Sequence, residues 1–477
     1  MSYLKSEPIN DFNDISYVNP EIEYSSSLVL SFDILSDSFF NILPTLLLAF
    51  IDTINLIILG HFDSSGKGTG YEYFNYFQIG VVYLNLFGFV FALGTLKSLK
   101  KEISNLEKNY LNTKLLLIGI VFLIILPLNL VSYYILSSIY SEEGLSTISM
   151  LWYIYRNFLI FAPILAYFQL LLQLNLRIFQ NYNMRAMSLW IFILHILLHL
   201  FFSFLFVFYF NFEVKGIIFS LIVTSVICYF ISNKLTNDYI IRETNFYIFP
   251  GTDFDLNSLT ETMKINFVTG IITYLEYAGL GFFTLFSLLI NHESLTANII
   301  LVNFICTLQI MGNGFSSTLK RYIQLSTSSY KHSHIGKKKF IKFLALLTVS
   351  SAFILAILIL MTKSKFVYIY LNESDITSFN IISDLFSNVV QYFSFIIFFD
   401  YISRILDGYV KGIDANITHL MFFKLSFIII FVPIGLVWCF VYDYGLIAFW
   451  AVIYIYIIIH TILNSFFVYK YYELWMY

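Results

Sequence analysis

The sequence predicts an all-α polytopic membrane protein with about twelve transmembrane helices arranged as two six-helix bundles. Three features carry that prediction. Of 477 residues, 58% are hydrophobic and only 12% charged, with mean hydropathy +0.77, whereas soluble domains carry roughly 25% charge. Apolar runs of spanning length recur along the whole chain, and Lys and Arg gather in every second connection between them. A crossing of ~30 Å of hydrocarbon takes ~20 apolar residues, so the length holds about a dozen helices with short loops and no further soluble domain.

The runs fall at 38–60, 75–97, 113–139, 150–176, 187–210, 213–233, 265–290, 295–318, 340–362, 378–403, 418–441 and 444–468. They are long and do not alternate, which fits helices that satisfy their own backbone in lipid and not the ~10-residue alternating strands of a barrel. The polar segment between runs six and seven splits them six and six, so the predicted organisation is a tail over 1–36, a first bundle over 37–233, a linker over 234–264, a second bundle over 265–469 and a tail over 470–477. The first tail is polar and acidic, lacks the basic-then-apolar pattern of a cleaved signal, and is expected to be disordered.

Basic residues concentrate on the cytoplasmic side of membrane proteins. Here they follow the even-numbered runs: Lys97, Lys100, Lys101, Lys108 and Lys114; Arg177 and Arg185; Lys234, Arg242 and Lys264; Lys320, Arg321, Lys331, Lys337, Lys338, Lys339 and Lys342; Arg404, Lys411 and Lys424. The other side holds Lys67, Arg156, Lys215, Lys363 and Lys365. Both termini are thus expected in the cytoplasm, and the sequon at Asn372 outside or in a lumen. A net charge of −3 without a basic face argues against nucleic-acid binding. Cys228, Cys306 and Cys439 lie inside apolar runs without CxxC spacing, so neither a disulfide framework nor a metal site is expected.

Several segments resemble the multidrug and toxic compound extrusion (MATE) family, especially its eukaryotic branch. The first run, NILPTLLLAFIDTINLIILGHFD, is similar in its early Pro44 and terminal Gly60 and His61. The fourth ends in LNLRIFQNYN, with Arg177 and Gln180 at the family's basic and Gln positions. YLEYAGLGFFTLFSLL and the following LTANIILVNFICTLQIMGNGFSSTLKR place Glu276 and Gly314. FFDYISRILDGYVKGIDANITHLMFFKLSFIIIFVPIG places Asp400, Lys411, Gly412, Pro433 and Gly435, and YGLIAFW places Gly445 and Trp450. The sequence departs from the family where Gly281 and Asn303 stand in place of further Glu residues, where the Pro after Gln180 is missing, and in the stretch TLKSLKKEI after run two. The resemblance implies a secondary active antiporter that exports organic cations, drugs or metabolites by alternating access in exchange for protons or sodium. It implies no cofactor beyond that gradient, a small-molecule substrate, a lipid bilayer (plasma membrane or an organelle) and a monomer.

An ionised carboxylate at bilayer depth costs at least ~2.5 kcal/mol, so intramembrane acids mark cavities or partners. By the spans above these are Asp52, Glu276 and Asp400. Glu276 reads as a proton-exchange or cation site, or else as a structural acid bonded to a neighbour such as Thr273. Asp400 has Arg404 one turn later and reads as an exchange group or as half of an ion pair. Asp52 and Asn55 share a turn, and Asn55 matches the Asp that prokaryotic MATE relatives often carry. His195 and His199 share a face and read as a proton relay or as interhelical hydrogen bonders, without a third ligand for a metal. Asn303 and Gln309 are cavity-lining candidates or interhelical contacts. Two alternatives stand beside the antiporter: a lipid-linked precursor flippase of the same superfamily, which needs cations in its cavity, and a membrane-embedded acyltransferase using His195 or His199.

Overall fold

A computed structural model describes residues 27–62, 70–96, 106–139, 145–181, 184–239, 256–328, 334–372, 376–412 and 417–476. No strand occurs among them. Among the described residues, twelve helical spans follow one another. In the first half, α1 is Ser27–Gly60. α2 is Gly70–Leu84 continued by Asn85–Phe89 and Val90–Thr95. α3 is Leu106–Ile120, Val121–Ile125 and Leu126–Ile139, and α4 is Leu145–Ile154, Tyr155–Leu159 and Ala162–Asn181. α5 is Arg185–Ser203 with Phe204–Tyr209, and α6 is Glu213–Tyr239.

In the second half, α7 is Leu256–Ser287 and α8 is His292–Ser328. α9 is His334–Thr362 with the short turns to Tyr370, α10 is Ile376–Gly412, α11 runs in four pieces from Ile417–Ser426 to Val437–Val441, and α12 is Leu446–Met476. Ten spans are long and apolar enough to cross a membrane singly. α10 qualifies as a bent pair, and the apolar part of α1 is the shorter Thr45–Gly60.

The spans match the twelve apolar runs, but their ends do not. α1 begins at Ser27, inside the stretch expected to be a disordered tail, and α12 continues through the expected tail to Met476. α6 runs on to Tyr239 and α7 starts at Leu256, so the expected linker over 234–264 is helical at both ends. Apolarity marks only the hydrocarbon crossing, while a helix continues as far as its backbone bonding allows. The remainder of the first tail, the middle of the linker and the basic residues Lys97, Lys100, Lys101, Arg242 and Lys331 lie outside the described residues.

Prolines explain three of the irregularities. Pro127, Pro163 and Pro433 each follow a wide π turn, at Val121–Ile125, Tyr155–Leu159 and Phe427–Phe431. The ring lacks an N–H and clashes with the carbonyl four residues back, and one widened turn relieves that clash inside a continuous helix. At Pro163 the relief is incomplete: α4 breaks at Ile160–Phe161 before resuming. α10 bends by 51° between Tyr392 and Ser394 without a proline, where Ser394 Oγ donates back to the Gln391 carbonyl at 3.4 Å, a bond that competes with the helical ladder.

The two halves repeat one another in backbone detail. After α5, Phe210 N–H bonds to Leu205 O and Phe212 N–H to Phe206 O; after α11, Tyr442 N–H bonds to Val437 O and Tyr444 N–H to Trp438 O. Asn211 and Glu213 have φ of 54° and 52°, and Asp443 and Gly445 have 57° and 55°. Every pair is separated by the same number of residues, and that displacement also carries the α4 break onto the α10 bend. The six-plus-six division inferred from spacing is therefore an internal structural repeat.

The halves meet along α1, α2, α7 and α8. A Cβ at Gly94 would lie 2.7 Å from Thr273 Cβ and 2.8 Å from Gly270 Cα, so α2 and α7 cross with their backbones nearly touching. At the end of α1, Gly60 O accepts from Asn372 N–H at 3.3 Å and His61 Nε2 lies 3.1 Å from Ile369 O. A Cβ at Gly60 would fall 1.9 Å from the Tyr370 carbonyl oxygen, a backbone atom that no rotamer change can move. Gly60→Ala is expected to separate these segments and cost about 1–3 kcal/mol, read as a lower thermal-unfolding midpoint of the purified protein; an unchanged midpoint contradicts the close approach.

Candidate functional site

Between the halves lies a cavity of about 200 Å³, lined by α1, α2, α4 and α6 from the first half and by α7 and α8 from the second. Two charged side chains line it, Asp52 and Arg177, among neutral amides, hydroxyls and aromatic rings. Asp52 makes no hydrogen bond or ion pair with any described residue. Arg177 is held by two neutral acceptors, Thr45 Oγ1 at 3.3 Å and Gln180 Oε1 at 3.2 Å, and Gln180 in turn donates to the Phe40 carbonyl. These helices are long enough that α4 carries Arg177 as part of the cavity wall and not as a loop residue, which is where charge counting places it.

Asn303 also lines the cavity. Its Oδ1 accepts from Thr53 Oγ1 at 2.9 Å and from Tyr370 OH at 2.8 Å, so one amide joins α1 of the first half to α8 and α9 of the second. Gln309 is half-buried on α8 and is not among the lining residues.

Glu276 and Asp400 are brought together, one step outside the cavity. Arg404 Nε donates to Asp400 Oδ2 at 2.6 Å, and its Nη1 reaches Asn313 Oδ1 at 2.5 Å and Glu276 Oε1 at 3.3 Å. Lys424 on α11 lies 3.9 Å from Glu276 Oε1 and 4.0 Å from Asp407 Oδ2. Asp407 also accepts from Asn464 Nδ2 at 2.6 Å and stands 3.5 Å from His460 Nε2, whose Nδ1 is 2.6 Å from Ser403 Oγ. Glu276 is therefore a paired carboxylate, not a solitary one. Its flanking neighbours Thr273 and Tyr277 line the cavity while it does not.

Sequence reasoning missed Asp407, Lys424, His460 and Asn464. Asp407 lies past the predicted end of the tenth span, and charge counting groups Lys424 with the loop cations although the run 418–441 contains it. A signal was present: Asp400, Arg404, Asp407 and Lys411 recur at the spacing of one helix face. The corresponding place in the first half is neutral. There Asn175 Nδ2 donates to Ser232 Oγ at 2.9 Å, between α4 and α6, at the positions that the repeat relates to Asp407 and Asn464. Charge is thus concentrated in the second half of an otherwise repeated frame.

Asn55, His195 and His199 form a separate polar core in the first half. His199 Nε2 lies 2.6 Å from Asn55 Oδ1 and His199 Nδ1 lies 2.9 Å from Ser220 Oγ, with Ser203 Oγ 2.9 Å from the same Ser220 oxygen. All are buried and none lines the cavity. The bonds of His199 to Asn55 and Ser220 link α1, α5 and α6, whereas His195, with its ring 6.5 Å from that of His199, is buried with Nδ1 unbonded among the described residues. Among the described residues no cluster of His, Cys, Asp or Glu has the geometry of a metal site.

No protein-family model matches the sequence, and no curated protein matches it. Solved structures do. A eukaryotic MATE transporter, AtDTX14, superposes with a TM-score of 0.72 at 14% identity, over 92% of this chain and 96% of its own. A MATE in the bent conformation gives 0.67 at 11% identity, over 93% and 95%. A MOP superfamily transporter from Pyrococcus furiosus, described with a binding pocket of reverse polarity, gives 0.64 at 10% identity, over 93% and 96%. Such identities speak for the fold alone, and the fold of this chain is that of the multidrug and toxic compound extrusion transporters.

Proposed function

We propose that the protein is a secondary active antiporter that exports organic cations, drugs or metabolites in exchange for protons or sodium, with both termini in the cytoplasm. The observation that carries this reading is Asp52: a carboxylate without a partner among the described residues, in a cavity between two repeated helical halves. An ionised acid in such a place is costly unless a cation completes it, and a cationic substrate does so. Rocking of two halves about a central site is the general route by which such repeats alternate access.

The coupling ion acts in the second half. Its buried charged cluster holds three carboxylates, Glu276, Asp400 and Asp407, against two cations, Arg404 and Lys424; Lys411, near Asp407, is 36% exposed. Glu276 shares Arg404 with Asp400 and Lys424 with Asp407, and a proton or sodium ion at Glu276 leaves each of those cations with a carboxylate of its own. Glu276 is the member within reach, its side chain 24% exposed against 10% for Arg404 and Asp400. With Glu276 neutralised, Arg404 stays with Asp400 and Lys424 with Asp407, so the site loads and unloads without leaving a bare buried charge.

Glu276→Gln mimics the loaded state permanently. It is expected to fold and to bind substrate, yet to lose gradient-driven transport in proteoliposomes by at least about tenfold. Full coupled transport by this variant refutes the assignment. A lipid-linked precursor flippase needs several cations to hold its phosphates, and Arg177 is the one basic side chain among the described lining residues.

A further inference from the structure

We infer that the central cavity takes amphoteric small molecules, bound by an ammonium or other cationic group at Asp52 and by a carboxylate or comparable acidic group at Arg177. This rests on the transport reading above and narrows its substrate class. Asp52 and Arg177 line the same cavity, carry opposite charges, and have no ionic partner among the described residues. Charges drawn out of water without counterions are costly, and here two partly buried groups of opposite sign share one chamber.

They are kept apart. Arg177 is fixed to Thr45 on α1, and Thr45 and Asp52 are seven residues apart on that helix, two turns, both facing the cavity. At a rise of 1.5 Å per residue the two poles stand about 10 Å apart along the wall. Allowing ~3 Å for a charge-assisted contact at each end, the ligand's opposite charges lie about 4–7 Å from each other. The guanidinium presents a planar fork suited to a carboxylate. Elsewhere on the cavity wall, Gln78, Gln169 and Gln173 offer neutral amides, and Phe77 and Phe89 offer apolar surface, which suits a compact body, ring-like or short-chained.

The test uses three labelled probes of one shape: 4-(aminomethyl)benzoic acid, which is amphoteric; its methyl ester, a cation only; and its N-acetyl derivative, an anion only. Equilibrium binding is measured with the full-length protein in lipid nanodiscs, alongside gradient-driven uptake of a fluorescent organic cation in proteoliposomes. The expected result is at least tenfold tighter binding of the amphoteric acid than of either derivative. Arg177→Gln should remove that preference by weakening the acid alone, while Asp52→Asn weakens both the acid and the ester. An ester that binds as tightly as the acid, or an acid whose binding survives Arg177→Gln, overturns the inference. If the fluorescent cation is still transported in that case, the antiporter reading stands and only the amphoteric class falls; absence of that transport defeats the antiporter reading itself.

Discussion

Asp52→Asn is expected to abolish gradient-driven export of organic cations while leaving the protein folded. The substitution keeps the size and polarity of the side chain and removes only its charge. Because Asp52 bonds to no described residue and lines the cavity, no described residue loses a partner, and the thermal-unfolding midpoint should hold or rise as a partly buried charge is relieved. A cationic substrate, by contrast, loses its counterion in a chamber of low polarity. Truncating one side of a buried, bonded charge pair costs about 2–5 kcal/mol, so affinity should fall by at least about thirtyfold, measured by direct binding to the purified variant. Undiminished binding of an organic cation would show that the carboxylate is not its site.

Arg404→Gln is expected to produce the opposite profile, a loss of stability as well as of activity. Arg404 is the hub of the second half, joining Asp400, Glu276 and Asn313 from three helices. Its removal takes the ion-pair partner from Asp400 and one partner from Glu276, and breaking a buried pair by deleting one partner typically costs about 3–5 kcal/mol. The midpoint should drop accordingly. Adding Asp400→Asn to Arg404→Gln removes the stranded charge and should recover most of the stability without restoring coupled transport. A single variant as stable as the parent, or a double variant no better than the single, contradicts the hub role.

These two variants separate two things that sequence reading merged. The number and order of the spans were legible because every crossing needs a long apolar run, and twelve such runs stand in the chain. Their ends were not, since α1, α6, α7 and α12 continue into polar sequence that hydropathy cannot distinguish from loop. That error propagated to the site. Arg177, one residue past the fourth run, counts there as a loop charge, whereas α4 carries it to the cavity; Lys424 counts among the loop cations although the eleventh run, 418–441, contains it, and α11 brings it to Glu276. Asp407 escaped notice for the same reason, because the tenth span was ended before it.

Asp52, Glu276 and Asp400 were singled out by the cost of an acid at bilayer depth. Which of them faces the cavity depends on helix rotation and on contacts between α7, α8, α10 and α11, and neither is encoded in local spacing. Asn55 and His199 illustrate the same limit from the other direction. Their polarity suggested chemistry, but they bond to one another across α1 and α5, and Ser220 from α6 joins them, which turns them into a buried brace.

The most direct measurement is uptake of a fluorescent organic cation into proteoliposomes holding the purified protein, under an imposed pH gradient and again under a sodium gradient, with Asp52→Asn and Glu276→Gln in parallel. The account predicts uptake driven by one of the two gradients in the unaltered protein and none above background in either variant. Uptake that ignores both gradients, or that persists in Asp52→Asn, would contradict it.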